Sequence, residues 1–489
     1  MRYLYTIFLL MAFTAPAVSQ PWIEHGPIVV NAQNPHFLQH HDGTPFFWLA
    51  DTGWDMMRRL NREEMKTYLE NRKKKGFNVI QAMVISEFIH ADKPTNYYGV
   101  QQFIDEDPER PAITPGNNFG VKDEYDFWDH IDYGIELASS MGLYMGLVAT
   151  WGEWVIPRVG KPLFDTCEQA YNYGWFLGNR YHEFQNIIWI LGGDRHPDER
   201  EEGLKLWRSM AEGIADGTNG VRMMDGKADY STTLMTHHAF ESSSRWFDND
   251  EWIDFDMWGS YHAIINNSRA YQMALADWNR SNPRPTINAE PCYEGHGINY
   301  AIADNGFFTS TDVRQTAYWS VFSGSAGYTY GAHPVWQFTD QFRKKHSAMT
   351  QSDWQHGLDL PGSFQVGYLK ELMLSRPLND LQPDTTMIIA GQDEGGGYCA
   401  AIRALSYAYL YIPEGNIVTV KMDLISGEKV NAWWFDPRTG KSRFIGAIDN
   451  HGVHRFDQLP AMSDELAWLK SGRGCDWILI LEDASKTVN

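Results

Sequence analysis

Eight short apolar runs punctuate residues 46–331, and most are followed by a stretch of helical patterning; no other feature constrains the fold of this chain as tightly. The runs fall at 46–50, 77–84, 143–151, 186–191, 233–238, 255–260, 285–290 and 327–331. Each is bounded by glycine, proline or polar clusters and is too short for a buried helix, so each reads as a buried strand. Helical patterning follows at 61–75, 125–141, 167–184, 199–216, 268–279 and 311–322. The first of these helices carries its own punctuation, with Asn61 and Glu64 at capping-box spacing and Gly76 as a stop. Strands that alternate with helices are parallel, and eight of them at this spacing predict an α/β fold, a (β/α)8 TIM barrel with long loops. A doubly wound sheet rarely needs eight such units.

Where two of these strands end, the sequence places an acid. Asn186-Ile187-Ile188-Trp189-Ile190-Leu191 runs into Gly192-Gly193-Asp194, and the glycines let the backbone turn as the strand stops. Pro285-Thr286-Ile287-Asn288-Ala289 delivers Glu290 in the same way. A barrel gathers the carboxyl ends of its strands into one mouth, so these two acids can meet although nearly a hundred residues separate them. Paired carboxylates in such a mouth suggest a glycosidase, retaining if they stand about 5–5.5 Å apart and inverting at about 6.5–9.5 Å. Asp51, Trp54, Trp151, Tyr261 and His262 also fall at or just past strand ends and are expected to contact sugar. Arg195 and His196 would orient the acid or touch substrate. His237 and His238 alternate in facing, so at most one of them points into the mouth. Glu87 and Glu294 are rival carboxylates.

Composition narrows the partners. A formal net charge of -21 argues against a nucleic-acid surface. Twenty tryptophans, 24 tyrosines and 25 phenylalanines suit a chain that stacks sugar rings, although most must serve as core. Four scattered cysteines form no zinc motif, and neither a metal nor any other cofactor is expected; Cys399 and Cys475 are a candidate disulfide. Arg2, an apolar core at 3–13 and Ala17-Val18-Ser19 read as a signal peptide over residues 1–19, which predicts an exported protein, periplasmic or secreted. No later run is long enough to span a membrane, and the mature chain is expected to be a monomer acting on an oligo- or polysaccharide. The barrel is expected over 20–376. Beyond Pro383 the texture changes to short alternating runs separated by turns such as Asp436-Pro437-Arg438-Thr439-Gly440, which predicts a C-terminal β-sandwich over 384–489.

Phe47-Trp48-Leu49-Ala50-Asp51-Thr52-Gly53-Trp54, Gly76-Phe77-Asn78-Val79-Ile80-Gln81, Ile190-Leu191-Gly192-Gly193-Asp194-Arg195 and Asn288-Ala289-Glu290-Pro291-Cys292-Tyr293-Glu294-Gly295 together resemble the apiosidase-like barrel family, glycoside hydrolase family 140. The C-terminal region resembles the collagen-binding-type β domain often fused to that barrel. The resemblance implies a retaining enzyme that cleaves apiosyl linkages to galacturonan in rhamnogalacturonan-II. It places the acid/base at Asp194 and the nucleophile at Glu290. The collagen label is a name here, since nothing in 384–489 shows a collagen-binding surface.

Overall fold

The computed structural model describes residues 19–86, 95–341, 343, 352–457, 459–460 and 472–486. All but the last residue of the expected signal peptide, and the rival carboxylate Glu87, lie outside the described residues. Eight parallel strands form the barrel: β1 (Trp48–Thr52), β2 (Val79–Met83), β3 (Tyr144–Val148), β4 (Ile187–Gly192), β5 (Met235–His238), β6 (Asp256–Gly259), β7 (Thr286–Glu290) and β8 (Gly327–Tyr330). The longer helices are α1 (Arg62–Lys74), α2 (Phe127–Ser140), α3 (Cys167–Tyr181), α4 (Gly203–Thr218), α5 (Arg269–Trp278), α6 (Ser310–Phe322) and α7 (Pro361–Leu374).

Hydrogen-bonded order runs β5-β4-β3-β2-β1-β8-β7-β6, so the ladder is open only between β5 and β6. Asp254 bridges that seam. Its carboxylate accepts the Met235 amide at 2.7 Å, its own amide donates to the Met235 carbonyl at 3.0 Å, and Thr236 Oγ1 donates to the Phe255 carbonyl at 2.7 Å. The seam is thereby satisfied without a regular ladder.

Local chemistry explains the elements. Asn61 and Glu64 form the expected capping box on α1, and Gly76 follows it at φ 86°. Asp126 with Asp129 and Thr166 with Gln169 cap α2 and α3 in the same way. The first barrel strand begins later than the apolar run suggests, because Phe46 pairs antiparallel with Leu38 in a three-stranded entry sheet. The strand then continues through Asp51 and Thr52, past the end of the apolar run.

The C-terminal region forms two antiparallel sheets. Six strands run in the order 382–383, 400–403, 407–412, 477–483, 429–436 and 441–449, and three more lie at 388–390, 418–421 and 453–456. Within strand Tyr407–Ile412, Ala408, Leu410 and Ile412 fill the space between the sheets, while Tyr407, Tyr409 and Tyr411 turn to the barrel. Tyr411 stacks on Tyr318 of α6 at 5.0 Å and Tyr409 on Phe322 at 5.7 Å. All four cysteines are free thiols, so the candidate disulfide between Cys399 and Cys475 is not formed. Cys399 Sγ faces the Gly391 and Gly397 carbonyls, whereas Cys475 lies against Gly415.

A buried ion pair ties the two units together. Arg314 of α6 donates through Nε (2.9 Å) and Nη2 (2.8 Å) to both carboxylate oxygens of Asp476, and its Nη1 bonds Gln365 of α7 at 2.8 Å. Both partners are almost fully buried. Removing one partner strands the other charge away from water, which costs about 3–5 kcal/mol. Asp476→Ala is therefore expected to lower stability by that amount, read as a shift in the urea-unfolding midpoint. An unchanged midpoint would mean that the junction adds nothing to the fold.

Candidate active site

Asp194 and Glu290 are carried to one place by the glycine turn after β4 and by the end of β7. Gly192 takes φ 91°, and a Cβ there would meet the His238 carbonyl at 2.3 Å; one on Gly193 would meet the Gly152 amide at 2.5 Å. Only a pair of glycines lets the chain pass between β5 and the loop after β3 to present Asp194. A register shift between Asn288 and Glu290 marks the end of β7.

Oxygens of Asp194 and Glu290 and a ring nitrogen of His238 all lie within 4.8 Å of one another. His238 Nε2 is 3.4 Å from Glu290 Oε2, and His262 Nε2 is 3.5 Å from Glu290 Oε1. His262 is locked in one tautomer. Its Nδ1 faces the Tyr293 amide at 3.3 Å, and an amide can only donate, so Nδ1 accepts and the proton sits on Nε2, toward Glu290. On the other side, Tyr261 donates its hydroxyl to Asp194 Oδ1 at 3.3 Å and stacks on Phe240 at 4.3 Å. Tyr261 holds φ 53°, a strained left-handed conformation that aims its ring across Gly259.

These surroundings separate the two carboxyls. Burial raises Asp194, the neighbouring Glu290 charge raises it further, and together they push it up to about 7. Burial raises Glu290 as well, but the imidazoles of His238 and His262 outweigh it and hold the group down at about 2. Like charges this close do not both ionise readily, and the donors decide which one stays charged. Below about pH 7 the pair shares roughly one proton, and it belongs to Asp194. With Tyr261 bonded to Oδ1, Oδ2 of Asp194 is the oxygen left to carry it.

A cleft of about 190 Å³ opens over the pair. Trp54, Trp151 and His262 line it, and Trp54 Nε1 donates to the Tyr293 hydroxyl at 2.8 Å. His238 lies under both indoles, 5.6 Å from Trp54 and 5.5 Å from Trp151. Tyr293, His296, Tyr300 and Trp336 complete the lining, and the sequence reading does not reach them. They sit in the loops after β7 and β8, so the strand-end rule that singles out Glu290 would find them if carried a few residues further.

Three expected substrate contacts are corrected. Asp51 is fully buried behind the barrel wall, where its Oδ2 accepts the Tyr68 hydroxyl at 2.5 Å and Arg72 Nε at 2.7 Å. As a strand residue it alternates away from the mouth. His237 likewise faces outward, between Trp207 at 5.4 Å and Phe247 at 4.9 Å, and burial holds it well below the ordinary imidazole range. Arg195 packs its stem on Gly152, bonds the Ile156 carbonyl at 3.2 Å and pairs with Glu199, so it braces the loop rather than the cleft. His196 stands beside Trp246, at 5.1 Å. The rival Glu294 is turned away, its Oε2 accepting the Tyr330 hydroxyl (2.8 Å) and the Gly362 amide (2.9 Å). Asp194, His238 and Glu290 are also a donor set that a divalent cation could take, the only such group found among the described residues.

A parallel barrel whose mouth holds one protonated and one ionised carboxyl beneath indole rings has the equipment of a glycoside hydrolase. The family model described as "Apiosidase-like, catalytic domain" matches residues 32–380, and the chain belongs to that family. The model described as "Putative collagen-binding domain of a collagenase" matches residues 382–482. A solved structure described as a glycoside hydrolase is 33% identical, covering 96% of this chain and 100% of its own, with a TM-score of 0.81. A glycoside hydrolase family 5 structure from Bacteroides vulgatus ATCC 8482 is 31% identical, covering 96% of each chain, with a TM-score of 0.83. No curated protein matches the chain.

Proposed function

We propose that this glycoside hydrolase retains anomeric configuration and cleaves apiosyl linkages to galacturonan in rhamnogalacturonan-II, with Glu290 as nucleophile and Asp194 as acid/base. The observation that carries the mechanism is the approach of an oxygen of Asp194 to within 4.8 Å of one of Glu290, with the first carboxyl held protonated and the second ionised. Oxygens this close favour the about 5–5.5 Å carboxyl separation of a retaining pair over the about 6.5–9.5 Å that inversion needs for an intervening water. The family match supports the apiosyl linkage.

In the first step ionised Glu290 attacks the anomeric carbon while Asp194 passes its proton to the departing oxygen. The bond from Glu290 to the sugar removes the carboxylate charge that had raised Asp194. Asp194, now deprotonated, takes a proton from water, which displaces Glu290 and returns both groups to their starting states. Tyr261 holds Asp194, while His238 and His262 hold Glu290. Trp54 and Trp151 offer indole surface to the sugar ring.

The test is incubation of the purified protein with rhamnogalacturonan-II oligosaccharides. Mass spectrometry should show loss of the apiosyl-linked side chain, and proton NMR should show the first-formed anomer with the substrate's configuration. First-formed product of opposite configuration would reject retention; an intact polymer would reject the apiosyl assignment.

The same groups set a pH profile. Activity requires Glu290 charged and Asp194 protonated, so kcat/KM should fall as pH rises through about 7, where Asp194 loses its proton, and persist far into acid, since Glu290 is held at about 2. His262→Ala removes a donor to Glu290 and should move the acidic limb to higher pH with the alkaline limb little changed. An unmoved acidic limb would show that His262 does not hold the nucleophile.

The N-terminal segment supports export, so we also propose that the enzyme works in the periplasm or outside the cell. Fractionation of expressing cells checks it, and retention of the unprocessed chain in the cytosol is the contrary result.

A further inference from the structure

A larger cavity, about 420 Å³, lies beside the cleft and contains neither catalytic carboxyl. The loop after β2 forms one wall with Gln101, Gln102 and Glu106, and the loop after β3 forms the other with Trp154 and Lys161. Both walls are built in advance. Isolated bridges pair Thr95 with Gln101 and Phe103 with Pro111, and Trp128 Nε1 of α2 holds the Gln102 carbonyl at 3.0 Å. Opposite, the Trp154 carbonyl accepts the Leu163 amide at 2.8 Å and the Phe164 amide at 3.1 Å.

The two hollows flank one turn of chain. Trp151 lines the cleft, Trp154 lines the cavity, and a 3₁₀ turn at Gly152–Trp154 joins them. At about 2.0 Å of rise per residue their backbones stand about 6 Å apart along that turn. The cleft, at about 190 Å³, is below the roughly 300–1,000 Å³ of a drug-sized ligand site, so it suits one ring, whereas the cavity falls inside that range.

The lining suits a sugar. Glutamine amides donate and accept, carboxylates accept hydroxyls, and Trp154 is fixed in the wall by its ring nitrogen, which donates to the Ser86 carbonyl at 3.0 Å. Charge narrows the choice: Asp105, Glu106 and Asp107 line the cavity against one lining cation, Lys161, and Arg110 pairs with Asp105 at 2.8 Å. A uronate would meet net repulsion there, and a neutral sugar would not.

We propose that this cavity is a second saccharide subsite that takes a neutral sugar of a branched substrate while the cleft takes the ring being cleaved. The proposal rests on the hydrolase reading of the cleft for its purpose, but not for its test. Calorimetry of Glu290→Gln protein with neutral plant-wall trisaccharides, and separately with trigalacturonate, reads the cavity without turnover. A neutral trisaccharide should bind, and the triple substitution Gln101→Ala, Glu106→Gln, Lys161→Ala should weaken it about tenfold, as expected for losing hydrogen bonds to charged groups. Trigalacturonate should bind more weakly than the neutral probe. In the active enzyme the triple substitution should raise KM for a branched oligosaccharide and leave hydrolysis of an activated aryl monosaccharide unchanged. The proposal is overturned if no neutral trisaccharide binds, if the triple variant binds it equally well, or if trigalacturonate is preferred. Failure of the aryl substrate with wild-type protein would instead sink the reading of the cleft.

Discussion

Replacing Glu290 with glutamine is expected to cut turnover on the order of 10⁴–10⁶-fold, as loss of a nucleophile does in other hydrolases, with the fold intact. Glutamine keeps the volume of the side chain and an amide oxygen for one of the two imidazoles, His238 and His262, which now stand 3.4 Å from Oε2 and 3.5 Å from Oε1 of the carboxylate. It offers no charged oxygen for the anomeric carbon. Azide should not restore Glu290→Gln, because the amide still fills the space, but it should partly restore Glu290→Ala and give a glycosyl azide of inverted configuration. The measurement is kcat on an aryl glycoside alongside circular dichroism of each variant. Wild-type rates from Glu290→Gln would dismiss Glu290 as the nucleophile.

Asp194→Asn should show a different signature, because a general acid matters most when the leaving group is poor. Such catalysis contributes roughly 10²–10⁴-fold, and that loss is expected on the natural linkage. On an activated aryl glycoside the first step needs little acid assistance, so the variant should still form the glycosyl-enzyme. It should then stall, since the second step needs Asp194 as base. Stopped-flow absorbance is expected to show a burst of aryl release followed by slow turnover. The alkaline limb near pH 7 should also disappear, since the amide that replaces the Asp194 carboxyl cannot titrate. Equal losses on activated and natural substrates, with no burst, would leave Asp194 only an orienting role.

Much of the site was legible because a barrel converts position along a strand into position in the mouth. Asp194 and Glu290 could be read at the ends of apolar strands, and Trp54, Trp151 and His262 followed from the same rule. Asp51 shows where the rule fails. Its strand runs two residues beyond the apolar run, and an even step along the pleat decides whether a residue faces the mouth or the helices; sequence does not mark where the strand stops. The ambiguity of His237 and His238 has the same origin, and only the placement of Trp207 and Phe247 settles which one faces outward. The edge strand at 441–449 has nearly all its residues exposed, so no apolar alternation marks it in the sequence.

What the sequence determined by itself is therefore the periodic part: eight apolar runs, capped helices, two acids behind strand ends and a change of texture near Pro383. These depend on neighbours a few residues apart, where chemistry and spacing suffice. Tertiary structure alone decided the charge states of the two carboxyls. Asp194 is raised by burial and by Glu290, and Glu290 is held down by His238 and His262 on two other strand ends. Tertiary structure also decided the docking of the β domain through Arg314 and Asp476, which lie 162 positions apart. Electrostatic energy depends on distance and exclusion of water, and neither is a property of the order of residues.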